Sequence, residues 1–554
     1  MISLLDYGAG NVRSLRNAII HLGFELIDIR RPDDILSAQR LLFPGVGAFG
    51  AAMERLHRLG YVEPLREYLA AGRPYLGICI GLQTLFQGSE ESPGVAGLGV
   101  IPGLVERFPT SALSVPHMGW NGVRSLQDNA LLQGMDADQF YFVHSYCARP
   151  CADNASWVLA ETDYGEPFVS AVQRGLVSAV QFHPEKSGPR GLEVLRRFLS
   201  GDAFSETESS ASASPPATAP AAGAIAVHPA SSGQGVPTCF AKRVIACLDV
   251  RSNDTGDLVV TKGDQYDVRE AGEVRNLGKP VDLAQRYYQE GADEITFLNI
   301  TAFRDFPLAD QPMLEVLRRT SEKVFVPLTI GGGIRAFTDA DGRVYSALDV
   351  ASEYFRSGAD KVSIGSESVH TVEQVRARGG GDGSSAIEQI AELYGNQAVV
   401  ISVDPRRVYV ASPDATERHV VETAIPGPNG ERYCWFQCTV RGGREGRDVD
   451  AVELARTCEA LGAGEILLNS IDRDGTGIGF DLELIAAVRS AVSIPVIASS
   501  GAGSAEHFSE VFERTGVEAA LAAGIFHRRE VPIDGVKAQL RADGIDVRQA
   551  ISEG

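Results

Sequence analysis

The run Val244-Ile245-Ala246-Cys247-Leu248-Asp249 decides the fold of the longer part of this chain. Five apolar residues without alternation make a strand buried on both faces, as a parallel sheet covered by helices requires. A carboxylate then closes the run. The phrase returns as Val400-Ile401-Ser402-Val403-Asp404. Six further apolar runs, 294–298, 324–330, 361–364, 465–468, 495–498 and 519–522, are separated by helix-compatible stretches. Eight such runs predict a (β/α)8 barrel over residues 240–554. A barrel needs about 250 residues, and insertions near 371–386 and 406–447 account for the surplus.

The barrel segment also repeats itself at half length. Gly291-Ala292-Asp293-Glu294-Ile295 matches Gly462-Ala463-Gly464-Glu465-Ile466, and Gly331-Gly332-Gly333 matches Ser500-Gly501-Ala502-Gly503. Gly358-Ala359-Asp360 and Gly516-Val517-Glu518 each precede a strand that ends in a glycine, Gly365 or Gly524. A duplicated four-strand unit puts Asp249 and Asp404 on opposite sides of the barrel mouth, where barrel enzymes keep their chemistry. There they can serve as general acid and general base on one substrate; a helix cap is the alternative for either one alone. The glycine turns at 331–333 and 501–503 leave backbone N–H groups open before a helix, which suits phosphate. A symmetric pair of them points to a substrate with a phosphate at each end. Tight turns alone are the alternative.

Upstream of the barrel, residues 203–239 are nearly all Ser, Ala, Pro, Gly and Thr. Such a stretch buries too little apolar surface to offset its ordering entropy and reads as a linker. Residues 1–202 form a second module, in which runs at 2–5, 40–43, 75–78 and 177–181 alternate with amphipathic stretches. That is the α/β pattern of an open, mostly parallel sheet.

In this module Gly77-Ile78-Cys79-Ile80-Gly81 is a cysteine version of a nucleophile elbow, with small residues permitting the turn. A following helix N-terminus favours thiolate. Gln181-Phe182-His183-Pro184-Glu185 supplies a base and an acid to orient it. Pro44-Gly45-Val46-Gly47 offers backbone N–H groups for an oxyanion, though an ordinary turn looks the same.

Composition narrows the function classes. Hydrophobic residues make up 44% and charged residues 22%, the balance of a globular protein. A net charge of −21 disfavours a nucleic-acid surface, and no apolar run reaches membrane-spanning length. The eight cysteines lack zinc-site spacing, so neither a metal nor a disulfide framework is expected. No cofactor is implied. With no basic, apolar or Arg/Ser-rich leader before Ile2, a cytoplasmic location is expected.

Taken together, GICIG and QFHPE resemble the class I, triad-type glutamine amidotransferases over nearly all of residues 1–200. Asp6-Tyr7-Gly8-Ala9-Gly10-Asn11 and Val115-Pro116-His117-Met118-Gly119-Trp120-Asn121 narrow this to the glutaminase of imidazole glycerol phosphate synthases. Residues 240–554, apart from the insertions, resemble the cyclase of the same family. Leu298-Asn299-Ile300-Thr301-Ala302, Asp360-Lys361-Val362-Ser363-Ile364-Gly365 and Ser470-Ile471-Asp472-Arg473-Asp474-Gly475-Thr476-Gly477 carry that likeness. The fused arrangement is similar to the fungal and plant form.

The resemblance implies that Cys79 attacks the glutamine amide, His183 shuttles the proton and Glu185 orients His183. It puts Gly47 by the oxyanion and Gln83 by the bound glutamine. In the barrel it implies catalytic Asp249 and Asp404, Lys262 on a loop over the mouth, and Asp474 near the substrate. Phosphate contacts fall to Gly332, Gly333 and Gly365 on one side and to Gly501, Gly503 and Gly524 on the other. At the opposite end it implies an ammonia gate of Arg243, Glu294, Lys361 and Glu465, four residues that otherwise read as salt bridges at strand starts. Asn299 stands where many separately encoded bacterial cyclases carry Asp, so it receives no acid–base role. The implied substrates are glutamine and a bis-phosphorylated ribulosyl imidazole-carboxamide nucleotide. The glutaminase should dock on the N-terminal face of the barrel, with Lys186 and Trp120 as interface candidates and a monomer sufficing. Another glutaminase–barrel fusion, such as those of tryptophan synthesis, and a non-catalytic metabolite-binding scaffold stay as alternatives.

Overall fold

The computed structural model describes residues 2–549 except 9, 111–112, 205–237, 254–256, 262–268, 271–272, 275, 301–307, 309–311 and 340. Lys262, Thr301, Ala302 and most of the linker therefore lie outside the described residues.

The first domain is built on an eight-stranded sheet. Its order is Leu26–Asp28, Ile2–Leu4, Arg40–Phe43, Tyr75–Ile78, Val177–Val180, Glu166–Arg174, Val158–Tyr164 and Arg124–Ser125. The first five strands are parallel and the last three antiparallel, so the sheet is mixed. Helices Val12–His21 and Gly188–Ser200 cover one face and Phe49–Leu59 and Val62–Ala70 the other, each burying an apolar stripe.

The second domain is a closed barrel of parallel strands: Arg243–Ser252, Glu294–Asn299, Leu328–Gly331, Lys361–Ile364, Val399–Val403, Glu465–Asn469, Val496–Ser499 and Ala519–Ala522. Pairing of Arg243 with Ala519 closes it. Side chains alternate along each strand. Ile245, Cys247, Val400, Leu467, Ile497 and Leu521 meet in an inner cluster, whereas Val244, Ala246 and Leu248 pack outward among the helices. The third strand begins at Leu328, later than the apolar run starting at 324 suggests. Pro327 has no N–H to give a ladder, and Phe325 packs into the core of the first domain, with its carbonyl accepting from Gly188 N at 3.0 Å.

The stretch at 406–447 lies within an antiparallel sheet of Pro405–Val410, Val421–Glu422, Tyr433–Val440 and Glu445–Asp450. The stretch at 371–386 completes helix Ser366–Arg378, turns at Gly379 and leads into helix Ala386–Tyr394.

Between the domains runs a two-stranded ribbon, His117–Gly122 paired with Gln139–His144. Met118, Trp120, Tyr141 and Val143 join the barrel's core, and Phe140 and Phe142 join the first domain's. The ribbon is thus a septum with one face in each domain.

Candidate active sites

Strand Tyr75–Ile78 delivers Cys79 into a backbone conformation of φ 53° and ψ −102°, which non-glycine residues rarely adopt. The flanking glycines make the turn possible. A Cβ on Gly77 would stand 2.5 Å from the Gly81 carbonyl oxygen, and one on Gly81 would stand 2.0 Å from that of Phe43. The helix beyond is a single turn, Ile80–Gln83, so a long helix dipole is not what conditions the thiol.

Strand Val177–Val180 carries the partners alongside. His183 Nδ1 lies 2.8 Å from Glu185 Oε1, and both residues are buried. Burial disfavours a charged imidazole, but the charges of Glu185 and Cys79 outweigh it and hold the His183 pKa well above the ordinary histidine value. The imidazolium is the state this favours. Gln181 Nε2 donates to Cys79 Sγ at 3.5 Å, while Gln83 Nε2 donates to Gln181 Oε1 at 3.2 Å and to the Tyr146 carbonyl at 3.0 Å. Gln83 therefore stands one amide away from the thiol. Gln181 received no role from sequence reasoning, although it opens the quoted QFHPE phrase. Gly47 has φ +128°, and a Cβ there would lie 3.1 Å from the carbonyl oxygen of barrel residue Leu393. The proposed oxyanion loop thus touches the other domain.

Asp249 sits on the first strand and Asp404 directly follows the fifth of eight, hence the two are diametrically opposed. Asp404 Oδ1 accepts from Asn469 Nδ2 at 2.8 Å, and Asn469 also donates to Ser402 Oγ at 3.1 Å. Burial raises the pKa of Asp404 and the charge of Asp474 adds to this, against the Asn469 hydrogen bond. The Asp404 carbonyl accepts from the Thr439 hydroxyl at 2.7 Å and N–H at 3.1 Å, so the inserted sheet grips the end of the strand. Sequence reasoning missed Asn469, whose only signal is its position just before the Ser470–Gly477 phrase.

The glycines proposed for phosphate have packing duties too. A Cβ on Gly332 would meet the Asn299 carbonyl oxygen at 2.1 Å. On Gly501 and Gly503 it would meet those of Gly479 and Gly477 at 2.3 and 2.1 Å. The loop holding Asp474 lies directly on the loop after the seventh strand. Gly503 N–H donates to His507 Nδ1 at 3.1 Å. Gly365 and Gly524 each stand where a helix begins after a strand.

Arg243, Glu294, Lys361 and Glu465 are each the first residue of a barrel strand. Their side chains form a closed ring of alternating charge. Arg243 contacts Glu294 at 3.1 Å and Glu465 at 2.6 Å, and Lys361 contacts the same two at 2.7 and 2.6 Å. All four are at most 1% exposed. Burial alone would raise the Glu465 pKa, yet the two cations depress it. Lys361 Nζ also reaches Met118 Sδ of the ribbon at 3.6 Å. Above the ring, Ser363 Oγ is buried without a hydrogen-bond partner among the described residues.

The glutaminase-like domain sits on this N-terminal face. Lys186 Nζ lies 2.6 Å from Asp360 Oδ2, Asn11 Nδ2 donates to Asp360 Oδ1 at 2.8 Å, and Trp120 Nε1 donates to the Asp293 carbonyl at 3.2 Å. Asp293, Asp360 and Glu518 each precede a strand, and each accepts from the first backbone N–H of a neighbouring strand or the residue beside it. The repeated acid before a strand is therefore a lip that fastens strands and meets the other domain.

An elbow cysteine with a buried His–Glu pair, docked on the closed end of a barrel with two opposed carboxylates, defines a glutaminase joined to a second catalytic unit. Residues 3–201 match the family model for class-I glutamine amidotransferases, and residues 243–532 match that for histidine biosynthesis proteins. The chain is 58% identical to the chloroplastic imidazole glycerol phosphate synthase hisHF of Arabidopsis thaliana, over 99% of this chain and 89% of that protein. It is 53% identical to the hisHF of Schizosaccharomyces pombe, over 99% of this chain and all of its relative. The HisF subunit of Methanosphaera stadtmanae is 42% identical over 56% of this chain and 99% of its own length. The chain belongs to the fused imidazole glycerol phosphate synthase family and is an enzyme of histidine biosynthesis.

Proposed function

We propose that each half-reaction runs on the residues named above. The Cys79 thiolate attacks the amide carbon of glutamine, the His183 imidazolium protonates the departing ammonia, and water then releases glutamate from the thioester. Glu185 holds the imidazole in register, and Gln83 and Gly47 attend the bound amide and its oxyanion. Ammonia passes the ring of Arg243, Glu294, Lys361 and Glu465 and travels up the barrel, with Ser363 Oγ as a hydrogen-bonding station. At the mouth it adds to the formimino carbon of phosphoribulosyl-formimino-aminoimidazole carboxamide ribonucleotide. Asp249 and Asp404 then assist closure and cleavage to imidazole glycerol phosphate and aminoimidazole carboxamide ribonucleotide, with Asp474 beside the substrate.

The observation that carries this reading is the ring. Four charged residues at four strand starts neutralise one another in a buried site between the two sets of catalytic residues. The apolar inner cluster above it keeps ammonia neutral and therefore nucleophilic. Confinement also raises its effective concentration.

Product formation from the ribulosyl substrate, with glutamine and with ammonium salt in parallel, tests the assignment. Cys79→Ala should abolish turnover with glutamine and keep it with ammonium. Asp249→Asn should remove product with either source while glutamine hydrolysis persists. Loss of both activities in Cys79→Ala would refute the division of labour.

We infer a cytoplasmic monomer. None of the eight cysteines is in a disulfide bridge, which fits a reducing compartment, and no helix among the described residues is long and apolar enough to cross a membrane. The Arabidopsis relative is named as chloroplastic, so imaging of a tagged chain, with sedimentation for its mass, is the check.

A further inference from the structure

Behind the ribbon, on the face turned away from the barrel, two buried imidazoles touch: His117 Nδ1 and His144 Nε2 are 3.2 Å apart. Their tautomers follow from their other partners. His144 Nδ1 lies 2.8 Å from the Tyr146 carbonyl, an obligate acceptor, so Nδ1 carries the proton and Nε2 accepts. His117 must then donate from Nδ1 and accept at Nε2, where Asn121 Nδ2 stands at 3.2 Å. Burial holds both rings neutral, with His117 far below the ordinary value and His144 brought down to about 3.

The line continues in both directions. Gln83 Nε2 donates to the same Tyr146 carbonyl, and Gln83 fixes Gln181, whose amide N–H points at Cys79 Sγ. At the other end Asn121 Nδ2 donates to the Asp163 carbonyl at 3.1 Å. Asp163 N meets Thr238 Oγ1 at 2.7 Å, and Thr238 N donates to Asp163 Oδ2 at 3.0 Å, where the chain enters the barrel.

We propose that His117 and His144 are positioning residues of glutamine hydrolysis, two links of a hydrogen-bonded line from Thr238 to the Cys79 thiol. This rests on the reading of Cys79 as the nucleophile. The shared Tyr146 carbonyl is the reason: His144 and Gln83 both donate to it, so the imidazole pair holds in place the acceptor against which Gln83 sets Gln181, whose N–H then points at sulfur, where it stabilises thiolate. A neutral His144 also adds no second cation beside the His183 imidazolium.

A packing role makes a different forecast. Phe108, Phe142 and Phe168 surround His144, so Phe at that position fits an aromatic cage. Phe there leaves His117 Nδ1–H without its acceptor, a stability cost that thermal unfolding reads and that weighs on both activities alike. In the full chain, His144→Phe should lower kcat/KM for glutamine about ten- to a hundredfold, the range expected for a hydrogen bond serving a charged group, mainly through kcat. Ammonium-dependent turnover should hold within about twofold. His144→Asn, whose amide can reach the Tyr146 carbonyl, should restore most of the loss. Full glutamine-dependent activity in His144→Phe would overturn the proposal. So would a parallel loss of ammonium-dependent turnover, or an Asn variant as poor as Phe. Failure of the nucleophile assignment would appear separately, as glutamine turnover surviving Cys79→Ala.

Discussion

Arg243 opens the barrel strand Arg243–Ser252, and Asp249 stands on the same inner face six residues and about 20 Å further on. One belongs to a buried ring under the glutaminase domain and the other to the open mouth. The proposed ammonia route between them runs through the inside of the barrel, past Ile245 and Cys247, which lie between the two.

Removing one member of the ring should be costly in two ways. Lys361→Met leaves two buried carboxylates facing Arg243 alone, and breaking a buried pair costs about 3–5 kcal/mol. Thermal unfolding should show this loss. The ratio of product to glutamate should also fall well below one with glutamine, while ammonium-dependent turnover survives. A ratio of one in the variant would contradict the ring's place on the ammonia route.

His183 titrates above the ordinary histidine range because Glu185 and Cys79 favour its charged form. A raised folded pKa adds stability that is complete below the unfolded value and is lost as pH rises through the folded one. Glutamine hydrolysis should therefore stay active at pH values where a free imidazole is neutral. In Glu185→Gln the basic limb of the kcat/KM profile should move to lower pH, with a smaller maximum. An unmoved limb would mean that Glu185 does not set the proton affinity of His183.

Asp404 carries a raised pKa, so its ionised form is disfavoured in the folded protein and stability falls as pH rises from the ordinary aspartate value through the folded one. Asp404→Asn should abolish product formation with glutamine and with ammonium alike. It should also raise the unfolding temperature by roughly a degree or two. A drop in that temperature would show that the carboxylate is held for packing.

Local pattern made much of this legible. Apolar runs without alternation give buried parallel strands, and Asp249 and Asp404 were visible because each closes such a run. The elbow around Cys79 was visible because glycines flank it, and Gly77 and Gly81 are indeed where a side chain cannot fit. What stayed hidden depends on register between distant segments. Asn469 meets Asp404 only because the fifth and sixth strands align as they do. The run at 324–326 looks like a strand in sequence; instead Val324 and Val326 pack into the barrel's core while Phe325 packs into the other domain. The His117–His144 pair forms only when the ribbon closes.

On the proposed route, ammonia released at Cys79 reaches the barrel mouth without entering solvent. Turnover with glutamine labelled with 15N at its amide, in an excess of unlabelled ammonium, tests it directly. Imidazole glycerol phosphate should then carry the label nearly undiluted and form in equal amount with glutamate. Product labelled no more than the bulk ammonium would contradict it, because the ammonia would then have left the protein before use.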